Sequence, residues 1–453
     1  MKKYGMGIFL SVVFGVIALL STGCGAPKEE MPNYEADKGV KTVRFVGFVE
    51  PPPENYYCYN GSSTPNSPSY ITVERYNEMK ECGIDIVLGH AVTSILSDDL
   101  MTALDCAAEA GLKYIAKYLG ITDFANAKPE RMEKALEKVL DHEAFYGILA
   151  KDEPTADLYN TLGKTYNVYK QVTDKCFYVN LLPTYGVTDM TYTQYIEQYC
   201  AKIGTPYISV DHYPFNFDGL THRVSENWLL NLEIVQNACK KYGLEHWEYL
   251  QGTKAFATSK IPDYYDLSQQ IYVSMAYGTE VLQYYCYFTP AEFGDNEEYR
   301  CLIDYYGNRT DIYEAAKKIN NEIHAFEHVF MNYVDGWQGV MTVVGSENKK
   351  ESNAAFSMLQ TPLTQHERIV SVESTQDMVI GAFEDADGYE GFLFTNYSIP
   401  GLRLNSNVTV NFKNATKAVC YIGGKETVVE LEKGKLEMEL NPGEGIFVIP
   451  VNA

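Results

Sequence analysis

Phe145-Tyr-Gly-Ile-Leu-Ala-Lys-Asp-Glu-Pro154 reads as a short apolar strand that runs into two adjacent carboxylates and is then stopped by a proline. Neighbouring acids repel each other, and partial burial adds to that cost, so a pair at a strand end points to a site that uses it. The structural alternative is that Asp152-Glu153-Pro154 caps the next helix, since acids favour helix N-termini and proline the first turn.

Around this stretch the same rhythm of strand, loop and helix recurs through the first 330 residues. The strands are Val43 to Val49, Ile84 to Gly89, Leu112 to Leu119, Phe145 onward, Cys176 to Pro183, Tyr207 to Pro214, Glu245 to Gly252 and Val281 to Pro290. Between them, apolar residues at i, i+3 and i+4 mark helices. One is Val73 to Glu81; others are capped by Ser97, opened by Pro129, run from Val224 to Tyr242 with a stop at Gly243, or start near Asp311. Eight strand–helix units with polar residues gathered at strand ends predict a (β/α)8 TIM barrel, an α/β fold. A doubly wound open sheet is the alternative, but it wants a glycine-rich loop after its first strand, where this chain has Pro51-Pro52-Pro53.

Helical periodicity ends near residue 335. Met378 to Glu384 and Tyr389 to Tyr397 flank the turn Asp385-Ala-Asp-Gly388, which predicts a hairpin. Thr427 to Glu432 and Lys435 to Leu440 flank Lys433-Gly434, which predicts a second. Residues 335–453 therefore read as a smaller all-β sandwich of roughly eight strands, following a barrel over residues 41–334.

The N-terminus carries Lys2 and Lys3, an apolar run from Gly7 to Leu20, then Ser21-Thr22-Gly23-Cys24. This resembles a bacterial lipoprotein signal, residues 1–24, with Cys24 as the lipidated residue and residues 25–40 as a tether; an uncleaved membrane anchor or an ordinary secretory signal is the alternative. The expected location is outside the cytoplasm, anchored to the membrane by lipid. The net charge of −23, with no basic stripe, argues against nucleic-acid partners and leaves neutral or cationic substrates open. Besides Cys24, nine cysteines lack CxxC spacing and read as buried small hydrophobes rather than a zinc site or disulfide framework.

In barrels the chemistry sits where strands end. The polar residues there are Glu50, His90, Asp152, Glu153, Asn180, Asp211, His212, Tyr213 and Gln251. Glycoside cleavage needs a protonated acid near the leaving oxygen and a second carboxylate across the sugar ring. Glu153 suits the acid, because Asp152 beside it and partial desolvation both raise a carboxyl pKa. Tyr56, Tyr57 and Tyr59 in the first loop could stack on sugars, although packing explains much of the tyrosine content. Trp247 reads as core. His90, Asp152, Glu153, Asp211 and His212 are ligand types, but without an HxH pair no metal or other cofactor is predicted.

Together these features resemble the clan A glycoside hydrolases and their β-galactosidase-like relatives, in which a barrel precedes a β-sandwich. The resemblance implies that Glu153 is the strand-four acid/base, although the family usually has Asn before it and this chain has Asp152. It implies that Asp211-His212-Tyr213 lines the site, as a His-x-Tyr-like element does there, and that Tyr287 or Phe288 forms the sugar platform. The family's nucleophile ends strand seven, where this chain has Gln251. Glu248 lies three residues earlier, about 10 Å along a strand and on its opposite side if regular; a register shift would make it the nucleophile. Asp211, Glu50 and Glu292 are other second carboxylates. Two functions follow, with a scaffold or adhesin, on which the acidic surface and the sandwich say little, as a third. One is a surface hydrolase of β-linked oligo- or polysaccharides, β-galactosides among them, with His90, Asp152, Asn180, His212 and Tyr213 binding substrate. The other is a glycan-capturing lipoprotein whose barrel no longer cleaves.

Overall fold

The computed structural model of the protein describes residues 32, 34, 41–56, 67–92, 94–217, 219–348 and 353–452. The lipoprotein-signal reading of residues 1–24, Cys24 included, lies outside these residues, as do Tyr57 and Tyr59.

Eight parallel strands close into a barrel. The first six are β1 (Arg44–Phe48), β2 (Ile86–Leu88), β3 (Lys113–Lys117), β4 (Phe145–Asp152), β5 (Cys176–Leu181) and β6 (Tyr207–Val210). A small hairpin, β7 (Phe215–Phe217) with β8 (His222–Val224), interrupts the ladder before β9 (Glu245–Gln251) and β10 (Val281–Tyr285), which closes on β1. The helices around the barrel are α1 (Val73–Glu81), α2 (Asp98–Glu109), α3 (Pro129–Leu136), α4 (Tyr159–Tyr169), α5 (Tyr192–Lys202), α6 (Trp228–Tyr242), α7 (Tyr264–Ala276) and α8 (Asp311–Phe330). Local chemistry sets their ends. Ser97 accepts from the Leu100 amide to start α2, Pro129 opens α3, and Gly243 at φ 66° ends α6. Helix α6 begins at Trp228 rather than Val224, because Val224 is used in the hairpin.

The alternation along β9 sorts its side chains. Trp247 packs inside the barrel, its ring 4.3 Å from that of Tyr207, and is core as expected. Nearby, Tyr178 donates to Gln283 at 2.6 Å across the barrel. His246 faces the helix layer instead, where its Nδ1 lies 3.1 Å from Gln236 of α6. Glu248, two residues on, shares that outward side.

Nine strands follow: β11 (Trp337–Val343), β12 (Ile369–Ser374), β13 (Met378–Glu384), β14 (Glu390–Asn396), β15 (Ser406–Phe412), β16 (Ala415–Ile422), β17 (Lys425–Glu430), β18 (Lys435–Leu440) and β19 (Gly445–Asn452). They form a six-stranded sheet, β11-β13-β14-β19-β16-β17, over a three-stranded one, β12-β15-β18. The fold is a TIM barrel followed by a β-sandwich. Strands β13, β14 and β19 are buried almost throughout. One face of their sheet meets the small sheet, as in Phe392 on Phe412, and the other meets α8, as in Phe330 on Phe383 and Phe447. Double burial erases the alternation expected of a half-exposed strand.

The first predicted hairpin forms between β13 and β14. The second does not. Strand β17 pairs with β16 and β18 pairs with β15, so Lys433-Gly434 carries the chain from one sheet to the other. Gly434, at φ 78°, lies so close to the Phe412 carbonyl that a Cβ would stand 2.0 Å from it. The glycine serves that close approach as much as the turn.

Candidate active site

At the C-terminal end of β4 the backbone turns sharply. Asp152 ends the strand, and Glu153 adopts φ 45°, a left-handed conformation uncommon for a residue with a side chain. Its amide donates to the Asn180 carbonyl of β5 at 2.9 Å, which extends the sheet bonding one residue past the strand.

Beside this turn opens a cavity of about 270 Å³. Asp152, Glu153 and Asp211 all line it, from the ends of β4 and β6, together with Asn180 and Tyr213. Phe48, Tyr185, Tyr249, Phe256 and Tyr285 supply aromatic walls. Asn180 bridges the floor, donating to Asp152 at 3.3 Å and accepting from Ser209 at 2.9 Å. Tyr213 lies against Tyr285, with ring centroids 5.1 Å apart.

The electrostatics single out two of the acids. Asp211 is buried, and that burial, followed by the charges of Glu153 and Asp152, holds its carboxyl well above the usual range. Asp152 remains open to solvent as a residue while its surroundings displace much of the hydration of its carboxyl. That desolvation, then the neighbouring Glu153 charge, raises its carboxyl to about 6. Asp211 is thus the group best suited to hold a proton, a role the sequence attaches to Glu153.

Other expected site residues fall outside the cavity, each with a structural task. Gln251 is buried: its Oε1 accepts from the Phe215 amide at 2.9 Å, and its Nε2 donates to the carbonyls of Phe215 and Lys260. It staples the β7–β8 hairpin to the loop after β9. His212 is buried, contacts Asn227 at 3.0 Å and meets the edge of Tyr185; burial lowers its pKa to about 4, so it stays neutral. His90 packs edge-on against Phe48, and burial, then Lys117, lowers its pKa to about 4. Both histidines back the aromatic wall rather than face the cavity.

The candidate second carboxylates resolve in the same way. Glu248 is 1% exposed and lies in the helix layer, 3.5 Å from a His246 that burial keeps neutral, so no register shift brings it to the mouth. Glu50 is consumed by the β2–α2 loop: it accepts from the amides of His90, Ala91 and Val92 and from the Tyr114 hydroxyl. Glu292 is exposed on the loop after β10 and does not line the cavity. Asp211 alone among the four does. Tyr287 and Phe288 are buried, with Tyr287 set against Gly47, so neither is a platform; Tyr285 takes that position. The strand ends at Tyr285, after which alternation no longer predicts direction. Tyr249 could have been found, since it shares the inward face with Trp247 and Gln251. Phe256, on an irregular loop, carried no signal in the sequence.

A larger cleft, about 1350 Å³, lies between the β7–β8 hairpin and the sandwich, lined among others by Phe217, His222, Asp377 and Tyr397. None of the strand-end carboxylates reaches it.

No protein-family model and no curated protein matches the sequence. Solved structures do match in fold. A GH42 β-galactosidase from G. stearothermophilus, Gan42B, superposes with a TM-score of 0.54 at 8% identity, over 91% of this chain and 98% of that one. A family 5 glycoside hydrolase from Bacteroides vulgatus gives 0.50 at 9% identity, over 90% and 89%. A β-galactosidase from the psychrophilic Marinomonas ef1 gives 0.48 at 11% identity; the chain spans 62% of its length. At such identities the likeness is one of fold, shared with glycoside hydrolases.

Proposed function

We propose that the protein is a glycoside hydrolase that cleaves β-linked oligo- or polysaccharides, β-galactosides among the candidates, and that it is exported and held to a membrane by lipid on Cys24. The observation that carries this reading is the convergence of Asp152, Glu153 and Asp211 on one aromatic-walled cavity at the C-terminal end of the barrel. Asp211 protonates the leaving oxygen. Glu153, whose carboxyl meets that of Asp211 in the free protein, parts from it when substrate enters and acts from the other side of the sugar ring, as nucleophile or as base toward water according to their separation there. Asn180 and Tyr213 hold hydroxyls, and the aromatic walls take the apolar faces of the ring.

A second reading is capture without cleavage. It is favoured by Gln251, whose amide is spent on loop backbone where the resembling family keeps a nucleophile. The full chain, purified in nonionic detergent, is assayed on aryl β-glycosides and oligosaccharides beside Glu153→Gln and Asp211→Asn. Hydrolysis by the parent and a loss of about 10²-fold or more in each variant support the first reading. Glycan binding by all three with turnover by none establishes the second.

A further inference from the structure

The cavity has an excess of negative charge that hydrolysis as proposed does not need. Two carboxyls suffice for the chemistry, yet Asp152 adds a third, and among the described residues no lysine or arginine lines the cavity. Lys117 and Lys151, whose charges act on Asp152, do not line the cavity and only partly offset it. Asp211 lines the cavity at 8% exposure, and its Oδ1 has no hydrogen-bond partner, so the site holds a buried polar atom that a ligand's hydrogen-bonding group would satisfy. Beside these acids stand the electron-rich faces of Tyr213 and Tyr285, with Phe256 packed on Tyr213 at 6.1 Å.

Carboxylates together with aromatic faces form the environment that stabilises an organic ammonium group, through charge-assisted hydrogen bonds and the ring quadrupole. A uronic acid or a sulfated sugar would be repelled, and a neutral sugar would leave the acids repelling one another. We propose that the sugar bound in this cavity carries a free, protonated amine, a deacetylated hexosamine, with Asp152 as the residue that recognises it. The turnover half of this inference rests on the hydrolase reading; the binding half does not. The chain's net charge of −23 would also draw a polycationic glycan toward the protein, an effect that salt screens.

The test is calorimetric titration of the full chain in nonionic detergent with four oligomers of equal length: glucosamine, N-acetylglucosamine, a neutral hexose and glucuronic acid. Reducing-sugar release is measured in parallel. The glucosamine oligomer is expected to bind about tenfold or more tighter than the N-acetylated one, an advantage that shrinks with salt. Asp152→Asn is expected to bring that ratio to within about threefold of unity, and Tyr285→Leu, which keeps the apolar wall, to reduce it. Equal or tighter binding of the N-acetylated or neutral oligomer overturns the inference, as does a preference that survives both substitutions. Equal cleavage of neutral glycosides overturns it while leaving the hydrolase reading intact. Selective binding of the amine without cleavage upholds it and removes the hydrolase.

Discussion

The amide of Glu153 donates to the carbonyl of Asn180 at 2.9 Å, and Glu153 sits there with φ 45°. An L side chain in this region costs about 1–2 kcal/mol, and such departures concentrate where function over-determines the backbone. Glu153→Gly removes the side-chain penalty but loosens the unfolded chain, which returns about 0.5–1 kcal/mol. The expected outcome is a protein as stable as the parent or up to about 1.5 kcal/mol more stable, with glycoside turnover lost. Urea unfolding and the aryl-glycoside assay check it together. A clear loss of stability would show that the carboxylate is structural.

The carboxyls of Asp152 and Asp211 give the protein a pH signature. Asp152 is raised from an ordinary value of 3.8 to about 6 by desolvation first and by Glu153 second. A carboxyl raised on folding contributes stability that is complete below its ordinary pKa and is lost as pH rises through the folded one. The parent should therefore lose stability between about pH 4 and 6 relative to Asp152→Asn, so the Tm difference in favour of the variant grows across that window. For Asp211→Asn the growth continues to higher pH, since that carboxyl is raised further. Comparing each variant with the parent cancels the titrating groups remote from the cavity and reports on Asp152 and Asp211 as an interacting pair. A flat difference would mean that these carboxyls are well hydrated.

Much of this fold can be read locally. Helix α1 spans Val73–Glu81 as the sequence predicts, because Thr72 caps it and the apolar positions Tyr76 and Met79 face inward. The turn Asp385-Ala-Asp-Gly388 joins adjacent antiparallel strands because both ends of the signal are local. Lys433-Gly434 carries the same kind of signal but joins different sheets, and the choice depends on Leu436 and Leu440 packing into the sandwich core, a tertiary matter. The site divides likewise. Strand-end position picks out Asp152, Glu153, Asn180 and Asp211. Which strand-end groups are spent on backbone, as Glu50 and Gln251 are, depends on loops whose course no period encodes.

Gln251 offers a prediction against the expectation from resemblance. Restoring a carboxylate there, as Gln251→Glu, would seem to supply the missing nucleophile. The side chain, however, faces the carbonyl oxygens of Phe215 at 3.2 Å and Lys260 at 2.8 Å through its Nε2. A carboxylate would present oxygen to oxygen in a buried place, at a cost of about 2–4 kcal/mol. The variant is expected to unfold at lower urea and to show no gain in turnover. A gain in activity at parental stability would return strand seven to the catalytic machinery.

Glu248 is the converse case, an acid that the geometry removes from the site. Neither of its carboxylate oxygens has a hydrogen-bond partner among the described residues, and burial raises its pKa well above the ordinary 4.5. Protonated, it resembles a glutamine in shape and charge, so Glu248→Gln should match the parent in stability at acidic pH. As pH rises toward the folded pKa, the parent loses the stability that the neutral carboxyl supplies and the variant does not, because a buried unpaired charge is costly. The variant should therefore become the more stable of the two in alkaline buffer while hydrolysing glycosides at the parental rate. Thermal unfolding across pH, paired with the glycoside assay, decides the point: lost turnover with parental stability would put Glu248 back in the role of nucleophile.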